Sequence, residues 1–223
     1  MKIRIEDNYE DVLMKAATGL GLGKQELAER AGIDSGQLAC LLEGKPEEAA
    51  LRKVAPVRGL APDALVAMAQ EAPYPEALEL PGLRQYNSPF PVEGYEEMTV
   101  NSYLVWDRAS LDAVAFDTGA AVESMLADIA LNNLQLKALF LTHTHRDHLA
   151  AYSELSSAVI KLPTYTPARE PFEKALPVQP GDRFTIGGLQ IEARLTDGHS
   201  PGGTTYLVNG LDRPVAIVGD SLF

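Results

Sequence analysis

The chain has 223 residues, of which 46% are hydrophobic and 22% charged, a composition ordinary for a globular protein. Its formal net charge of −12 argues against non-specific binding to nucleic acid or anionic membrane, because such binding needs local positive charge. A single cysteine, Cys40, excludes an intrachain disulfide, and its position in an apolar helical run favours a buried core thiol.

The N-terminus, MKIRIEDNYE, has neither the apolar segment nor the small-residue cleavage site of a secretory signal. No stretch approaches the roughly 18 uninterrupted apolar residues of a membrane-spanning helix. We therefore expect a cytoplasmic protein without a membrane partner.

Residues 1–72 predict a small all-α domain. Gly32 allows a sharp turn, and Asp34 or Ser35 can cap the helix that follows it. Gly44 ends that helix and Pro46 prevents it from resuming. Helices are predicted at 10–18, 24–30, 35–43, 47–57 and 62–70.

The string GKQELAERAGIDSGQLACLLEGK resembles the helix-turn-helix of the Cro/phage-repressor superfamily. The resemblance makes the helix from Ser35 to Glu43 the recognition helix and Ser35 and Gln37 the candidate base-reading residues. That helix carries no Arg or Lys, and residues 1–80 hold 9 Lys+Arg against 14 Asp+Glu. DNA binding through this domain therefore stays open beside dimerisation or packing on the next domain. The features that carry the resemblance are Leu27, Ala28, Ala31, Gly32, Ile33, Leu38, Leu41 and Leu42.

Seven prolines and glycines between residues 72 and 94 mark a change of character, because proline cannot continue a helix. We place a Pro-rich linker at 73–82 and a second domain at 83–223. Mixed strands and helices in this part predict an α/β domain with helices packed against sheet. The strands are predicted at 99–107, 111–117, 136–142, 158–162, 183–186, 189–195, 204–208 and 214–218, with helices at 120–131 and just after His148.

An apolar strand ends at Phe140-Leu141-Thr142 and is followed by the cluster His143-Thr144-His145-Arg146-Asp147-His148. In a loop at a strand end, His143 and His145 can turn toward one point, and Asp147 and His148 can serve a second point nearby. Imidazole and carboxylate suit zinc and iron. Three of the chain's four histidines lie in this hexapeptide, so a chance cluster in a solvated loop is disfavoured.

Two later segments fit the same chemistry. Thr196-Asp197-Gly198-His199-Ser200-Pro201-Gly202-Gly203 places the fourth histidine on a glycine-rich loop between strands. Ile217-Val218-Gly219-Asp220-Ser221 is an apolar strand that ends in an aspartate, which can bridge two metal ions. A Gly-Asp after a strand is a common turn when taken alone, and it becomes a candidate ligand through the two other segments.

HTHRDH, GHSPGG and GDSLF, in this order, resemble the metallo-β-lactamase superfamily with its HxHxDH motif. The resemblance covers about residues 83–223 and implies an αββα sandwich with two divalent metal ions, zinc first, with iron or manganese as alternatives. It implies that His143, His145 and His199 hold one metal, that Asp147 and His148 hold the other, and that Asp220 bridges them. Asp147 is also assigned a catalytic role. The Asp117-Thr118-Gly119 turn belongs to the same resemblance.

The family pattern has a further histidine well after the bridging aspartate, and this chain ends at Phe223. We therefore expect a domain that is incomplete at its C-terminus, with a homodimer or another chain covering the open end as one way to complete it.

The form of the motifs is most similar to glyoxalase II-type thioesterases. The resemblance implies hydrolysis of a small thioester or related ester by a metal-bound hydroxide. Residues 81–223 hold 10 Lys+Arg against 17 Asp+Glu, which disfavours a polyanionic substrate. Two alternatives stay open: a mononuclear-iron persulfide dioxygenase relative, and a helix-turn-helix transcriptional regulator whose metal domain senses a metabolite.

Overall fold

The computed structural model describes residues 7–71, 79–94, 96 and 98–221. The chain forms two compact units, one made mainly of residues up to Leu78 and one mainly of residues from Glu79 onward. Residues 73–78 of the predicted linker lie outside the described residues, and the domain boundaries at 72 and 83 stay a prediction.

The first unit, which we call the helical unit, contains five helices around one apolar core in its described residues 7–71. The Asp34 side chain caps the third helix by accepting a hydrogen bond of 2.8 Å from the Gln37 backbone N–H. Gly32 ends the second helix with φ at 62°, a left-handed conformation that glycine adopts at little cost. The helices are α1 (Tyr9–Gly19), α2 (Lys24–Ala31), α3 (Ser35–Leu42), α4 (Glu48–Val57) and α5 (Pro62–Ala69).

The expectation of a buried Cys40 is wrong, because the thiol is exposed. On α3, Leu38 and Leu41 are the residues that lie in the core. A helix turns 100° per residue, so Cys40 lies to the side of the face that these two leucines share. The apolar run around Cys40 is therefore not buried on all sides.

The second unit, which we call the sheet unit, holds two sheets. The six-stranded sheet has the order β1-β2-β3-β4-β5-β6, antiparallel from β1 to β3 and parallel from β3 to β6. The four-stranded sheet has the order β10-β9-β8-β7 and is antiparallel. The elements are β1 (Leu83–Pro89), β2 (Thr99–Trp106), β3 (Asp112–Phe116), α6 (Glu123–Leu131), β4 (Gln135–Phe140), α7 (Arg146–Leu149), α8 (Tyr152–Ala158), β5 (Thr164–Pro167), β6 (Leu176–Val178), β7 (Arg183–Ile186), β8 (Leu189–Leu195), β9 (Thr204–Asn209), β10 (Val215–Ile217) and a 3-10 turn (Gly219–Ser221).

Alternate residues of β3 and β4 line two different cores. Phe116 and Phe140 face the four-stranded sheet, where Phe140 packs 5.2 Å from Tyr206 between ring centroids. Ala115 and Leu139 face the opposite side, in the core that also contains Met125 of α6 and Leu155 of α8. Both faces of the sheet are thus covered at β3 and β4, which explains why residues 113–116 and 138–140 of these strands are apolar.

The strand predicted at 158–162 is wrong. Helix α8 continues to Ala158, and a turn follows in which Lys161 has φ at 59°. The next strand starts at Thr164, after Pro163. Strands β1 and β6 have no counterpart in the prediction, since prolines stand in or beside both and proline is typical of edge strands.

No helix among the described residues is long and apolar enough to cross a membrane. The cytoplasmic location stays a prediction.

Candidate metal centre

The centre is built where two neighbouring parallel strands end. β3 ends at Phe116 and β4 at Phe140, and these two residues are partners across the sheet. Asp117 follows β3 directly, and its backbone N–H donates a 2.9 Å hydrogen bond to the Phe140 carbonyl. Ends of adjacent parallel strands meet at one sheet edge, so the polar residues that follow them converge there.

Asp117 is the organising carboxylate of this edge and is 1% exposed. It accepts hydrogen bonds from the Thr142 backbone N–H at 2.8 Å and from the Thr142 hydroxyl at 2.7 Å. Its Oδ2 also lies 2.8 Å from Nδ1 of His148. Because a carboxylate can only accept here, His148 carries its proton on Nδ1, and its Nε2 becomes the candidate metal-binding atom.

The same reasoning fixes the tautomer of His143. The Thr142 hydroxyl gives its proton to Asp117 and lies 3.0 Å from Nδ1 of His143. It therefore accepts the Nδ1–H of His143, which leaves Nε2 of His143 as the second lone-pair donor. One carboxylate thus orients two imidazoles, directly and through a hydroxyl.

The short helix α7 presents the remaining part of the HxHxDH segment. His145 is its N-cap residue, and Asp147 and His148 within it are buried. The turn after β3 holds α7 in place, since the Thr118 backbone N–H and hydroxyl donate to the His148 carbonyl at 2.9 and 3.0 Å. The sequence strand-loop-helix therefore turns successive side chains toward one region.

Two groups of candidate ligands result. In each, the ligand atoms all lie within 4.8 Å of one another, and Asp220 belongs to both. His199 Nε2 lies 3.2 Å from Asp220 Oδ2, and His148 Nε2 lies 3.5 Å from Asp147 Oδ2. The groups are His143, His145, His199 and Asp220, and Asp147, His148 and Asp220.

The donor set fits divalent metal ions of the zinc and iron type. Three imidazoles with a carboxylate, and two carboxylates with an imidazole, are mixtures that these ions accept. A carboxylate shared by two groups has two oxygens and can serve two cations. Oriented Nδ1 protons on His143 and His148 add the outer hydrogen bonds that metal-binding histidines almost always make.

Gly219 explains how Asp220 reaches this place. It has φ at 52°, and a side chain there would meet Thr142, with Cβ of that threonine 2.7 Å away. Only a residue without a side chain lets the chain after β10 pass so close to the end of β4. The glycine before Asp220 is therefore required by packing.

The structure brings together all six residues predicted as metal ligands, while their ligand role stays a proposal. Ser35 and Gln37, the candidate DNA-reading residues, lie exposed on α3 of the helical unit. The Gln37 side-chain oxygen accepts the Asp34 backbone N–H at 3.2 Å, and its amide nitrogen donates to Glu47 at 3.3 Å. Gln37 thus has structural bonds of its own.

Sequence reasoning assigned no role to three residues at this edge. Thr142 precedes the motif and belongs to the strand predicted at 136–142. Asp117 lies in a turn whose contacts the sequence does not predict. Glu170 had no signal, because a lone acidic residue in the segment Ala-Arg-Glu-Pro is typical of a solvated turn. All three act through long-range hydrogen bonds that spacing along the chain does not reveal.

The profile of the Metallo-beta-lactamase superfamily matches residues 95–223. The chain belongs to this superfamily, and its stacked sheets with helices have the metallo-β-lactamase fold. The αββα sandwich expected from the sequence is thereby confirmed as a fold class.

Curated relatives of this chain include a hydrolase and a dioxygenase. Hydroxyacylglutathione hydrolase of Hahella chejuensis is 33% identical over 126 residues, which are 55% of this chain and 48% of the relative. Persulfide dioxygenase ETHE1, mitochondrial, of Mus musculus is 32% identical over 124 residues, 54% of this chain and 47% of the relative. The chain spans about half the length of the curated relatives it matches.

Among solved structures, a metallo-beta-lactamase from Staphylococcus aureus superposes with a TM-score of 0.46 at 17% identity, over 61% of this chain and 43% of that one. ETHE1 from Myxococcus xanthus gives a TM-score of 0.45 at 27% identity, over 49% of this chain and 48% of that one.

Proposed function

We propose that this chain carries the metal site of a metal-dependent hydrolase that acts on a small thioester or related ester. The observation that carries the proposal is the pair of ligand groups that share Asp220. Two divalent cations there, zinc in the first instance, would polarise the substrate carbonyl and activate a water molecule. The 33% identity to a hydroxyacylglutathione hydrolase supports a thioester as the first substrate class to assay.

The chain's own residues supply position and selectivity. Asp117 holds His143 and His148 in one tautomer each, so no reorganisation is needed when a cation arrives. Asp147 is 7% exposed and is proposed as a ligand with a catalytic role. The excess of acidic residues in 81–223 supports a substrate without a polyanionic chain.

The experiment combines metal content with turnover. We expect about two zinc or iron ions per purified chain by mass spectrometry, and hydrolysis of an S-hydroxyacylglutathione followed by loss of thioester absorbance. Asp147→Asn should reduce both, while Asp212→Asn, a carboxylate paired with Arg108 on the exposed surface, should change neither. A chain that binds two metals but hydrolyses no thioester would contradict the proposed activity, and its metal site would stand.

A persulfide dioxygenase is the second candidate, favoured by the 32% identity to the mouse enzyme. Under this alternative one iron would occupy the group that contains His143, His199 and Asp220, and the group of Asp147 and His148 would stay empty. One iron per chain, with oxygen consumption on addition of glutathione persulfide and no thioester hydrolysis, would favour this candidate over the hydrolase.

A further inference from the structure

Glu170 lies outside the ligand groups and yet joins two loops of the sheet unit. It is 9% exposed. Its Oε2 accepts the Thr144 backbone N–H at 2.8 Å and the Thr144 hydroxyl at 2.9 Å. Its Oε1 accepts the Gly202 backbone N–H at 2.6 Å. Each carboxylate oxygen therefore holds a different loop.

The two loops that Glu170 joins are the ones that carry candidate histidine ligands. Thr144 stands between His143 and His145, and Gly202 comes three residues after His199. A change in the Glu170 carboxylate would therefore act on the two segments that supply all three histidines of the first ligand group.

Glu170 is itself held firmly. It follows β5 in a turn in which its backbone N–H donates to the Pro167 carbonyl at 2.8 Å. The Thr166 hydroxyl, 1% exposed as a residue, donates to the Glu170 carbonyl at 2.7 Å. The carboxylate thus projects from a backbone position that is hydrogen-bonded to the end of β5.

Gly202 is fitted to this carboxylate. A Cβ at position 202 would lie 2.9 Å from Cγ of Glu170 and 3.2 Å from Cβ of Pro167. Its backbone angle is one that any residue adopts, so only the close approach of Glu170 and Pro167 disfavours a side chain. Alanine at position 202 would therefore move the Glu170 carboxylate without removing its charge.

We propose that Glu170 is a positioning residue that sets the separation of the two histidine loops and thereby the affinity of the first ligand group for a divalent metal. The inference rests on the metal site of the proposed function and not on the choice of substrate. Groups that orient metal ligands typically change affinity by about 10–100-fold when they are replaced.

The test is Glu170→Gln in the 223-residue chain. A glutamine has one accepting oxygen, so its amide nitrogen would face one of the two loops as a donor against a donor. We expect zinc affinity, measured by competition with a chromophoric chelator, to fall about 10–100-fold. The visible absorption of the cobalt-substituted protein should change with it, since it reports the geometry of the ligands.

Asp107 provides the matched control. Its Oδ2 accepts the Ser110 hydroxyl at 2.7 Å, the Ser110 N–H at 3.2 Å and the Gly188 N–H at 3.0 Å. It therefore joins two loops by the same chemistry, and neither loop carries a candidate ligand. Asp107→Asn should leave zinc affinity unchanged, because neither loop carries a candidate ligand. Thermal unfolding of the metal-free protein checks that both variants are folded.

Gly202→Ala separates position from charge and decides the matter if Glu170→Gln does not fold. Weakened zinc binding in this variant, with the carboxylate charge retained, supports the inference. Unchanged affinity in Gly202→Ala, affinity in Glu170→Gln within twofold of the unaltered chain, or an equal loss in Asp107→Asn would overturn it. Absence of thioester hydrolysis in a metal-loaded chain would refute the proposed function and leave the role of Glu170 intact.

Discussion

In the helical unit few polar groups are buried among the described residues 7–71, such as the Arg58 guanidinium and the Tyr9 hydroxyl, whereas the sheet unit buries many polar side chains, several of them at strand ends. The helical unit uses its polar residues to end helices at the surface, as Asp34 and Gln37 do on α3. The sheet unit brings Asp117, Thr142 and His148 out of water and pairs them. Buried polar groups are costly unless they are hydrogen-bonded, so their concentration at one edge sets the candidate metal centre apart from the rest of the described residues.

The largest effect should come from removing two of the candidate ligands. In the double variant His143→Ala with His145→Ala, we expect zinc affinity to fall well beyond the roughly hundredfold loss caused by groups that only orient ligands. Chelator competition measures it. The α-helical circular dichroism of the variant should be retained, because neither histidine belongs to an apolar core. Unchanged zinc affinity would show that the buried polar groups of the sheet unit do not form a metal site.

Asp117→Asn should have the next largest effect, about 10–100-fold in zinc affinity. Asparagine has one accepting oxygen in place of two, so either the Thr142 backbone N–H at Oδ1 or the Thr142 hydroxyl and His148 Nδ1 at Oδ2 would face a donor. The tautomers of His143 and His148 are then less firmly fixed. Nitrogen NMR of the imidazoles measures the tautomer directly. Asp128→Asn is the control, since Asp128 accepts the Tyr86 hydroxyl at 2.7 Å and keeps an accepting oxygen as asparagine. Equal zinc affinity in both variants would refute the orienting role.

Arg58 in the helical unit is a buried polar residue whose replacement should stabilise the protein. It is 5% exposed, and its Nε and Nη1 atoms are buried with no hydrogen-bond partner. Burial lowers the pKa of this guanidinium to about 10. We expect Arg58→Met to raise the free energy of unfolding by about 1–3 kcal/mol, because a buried donor without a partner is removed.

Urea unfolding of the helical signal measures this change. Arg52→Met, which removes an exposed arginine paired with Glu48 and Asp63, should alter stability little, as surface ion pairs contribute little. Destabilisation by Arg58→Met would mean that the guanidinium makes a contribution that its contacts do not explain.

The smallest effect is expected with DNA. At low salt and micromolar protein, fluorescence anisotropy with genomic fragments should detect no sequence-selective binding, because α3 has no Arg or Lys to contact bases or phosphates. Tight selective binding that Gln37→Ala weakens would contradict this expectation and favour the transcriptional regulator.

Much of the candidate site was accessible from sequence because its residues lie in short, recognisable segments. The histidines and the aspartate in HTHRDH and GHSPGG are candidate ligands by residue type alone. Asp220 becomes a candidate because GDSLF follows these two motifs along the chain. The five N-terminal helices were located within about two residues, since capping residues and glycines mark their ends. Local chemistry and local structure agree in these parts of the chain.

The remaining features depend on contacts between distant segments. The Asp117–His148 and Glu170–Gly202 contacts join residues about 30 positions apart, and no periodicity predicts them. The predictions of a buried Cys40 and of a strand at 158–162 were wrong for a related reason. Apolar character alone does not say which side of a helix faces the core, nor whether a short apolar run is a strand or a turn.

The order in which the ligand groups occur along the chain has a mechanical consequence. A cation held by His143, His199 and Asp220 would join segments that are far apart in sequence, and so would act as a reversible cross-link. Like a disulfide, such a link reduces the conformational entropy of the unfolded chain, and the reduction grows with the length of the closed loop. For this chain, the concentration of available metal would then set the free energy of unfolding as well as the occupancy of the site.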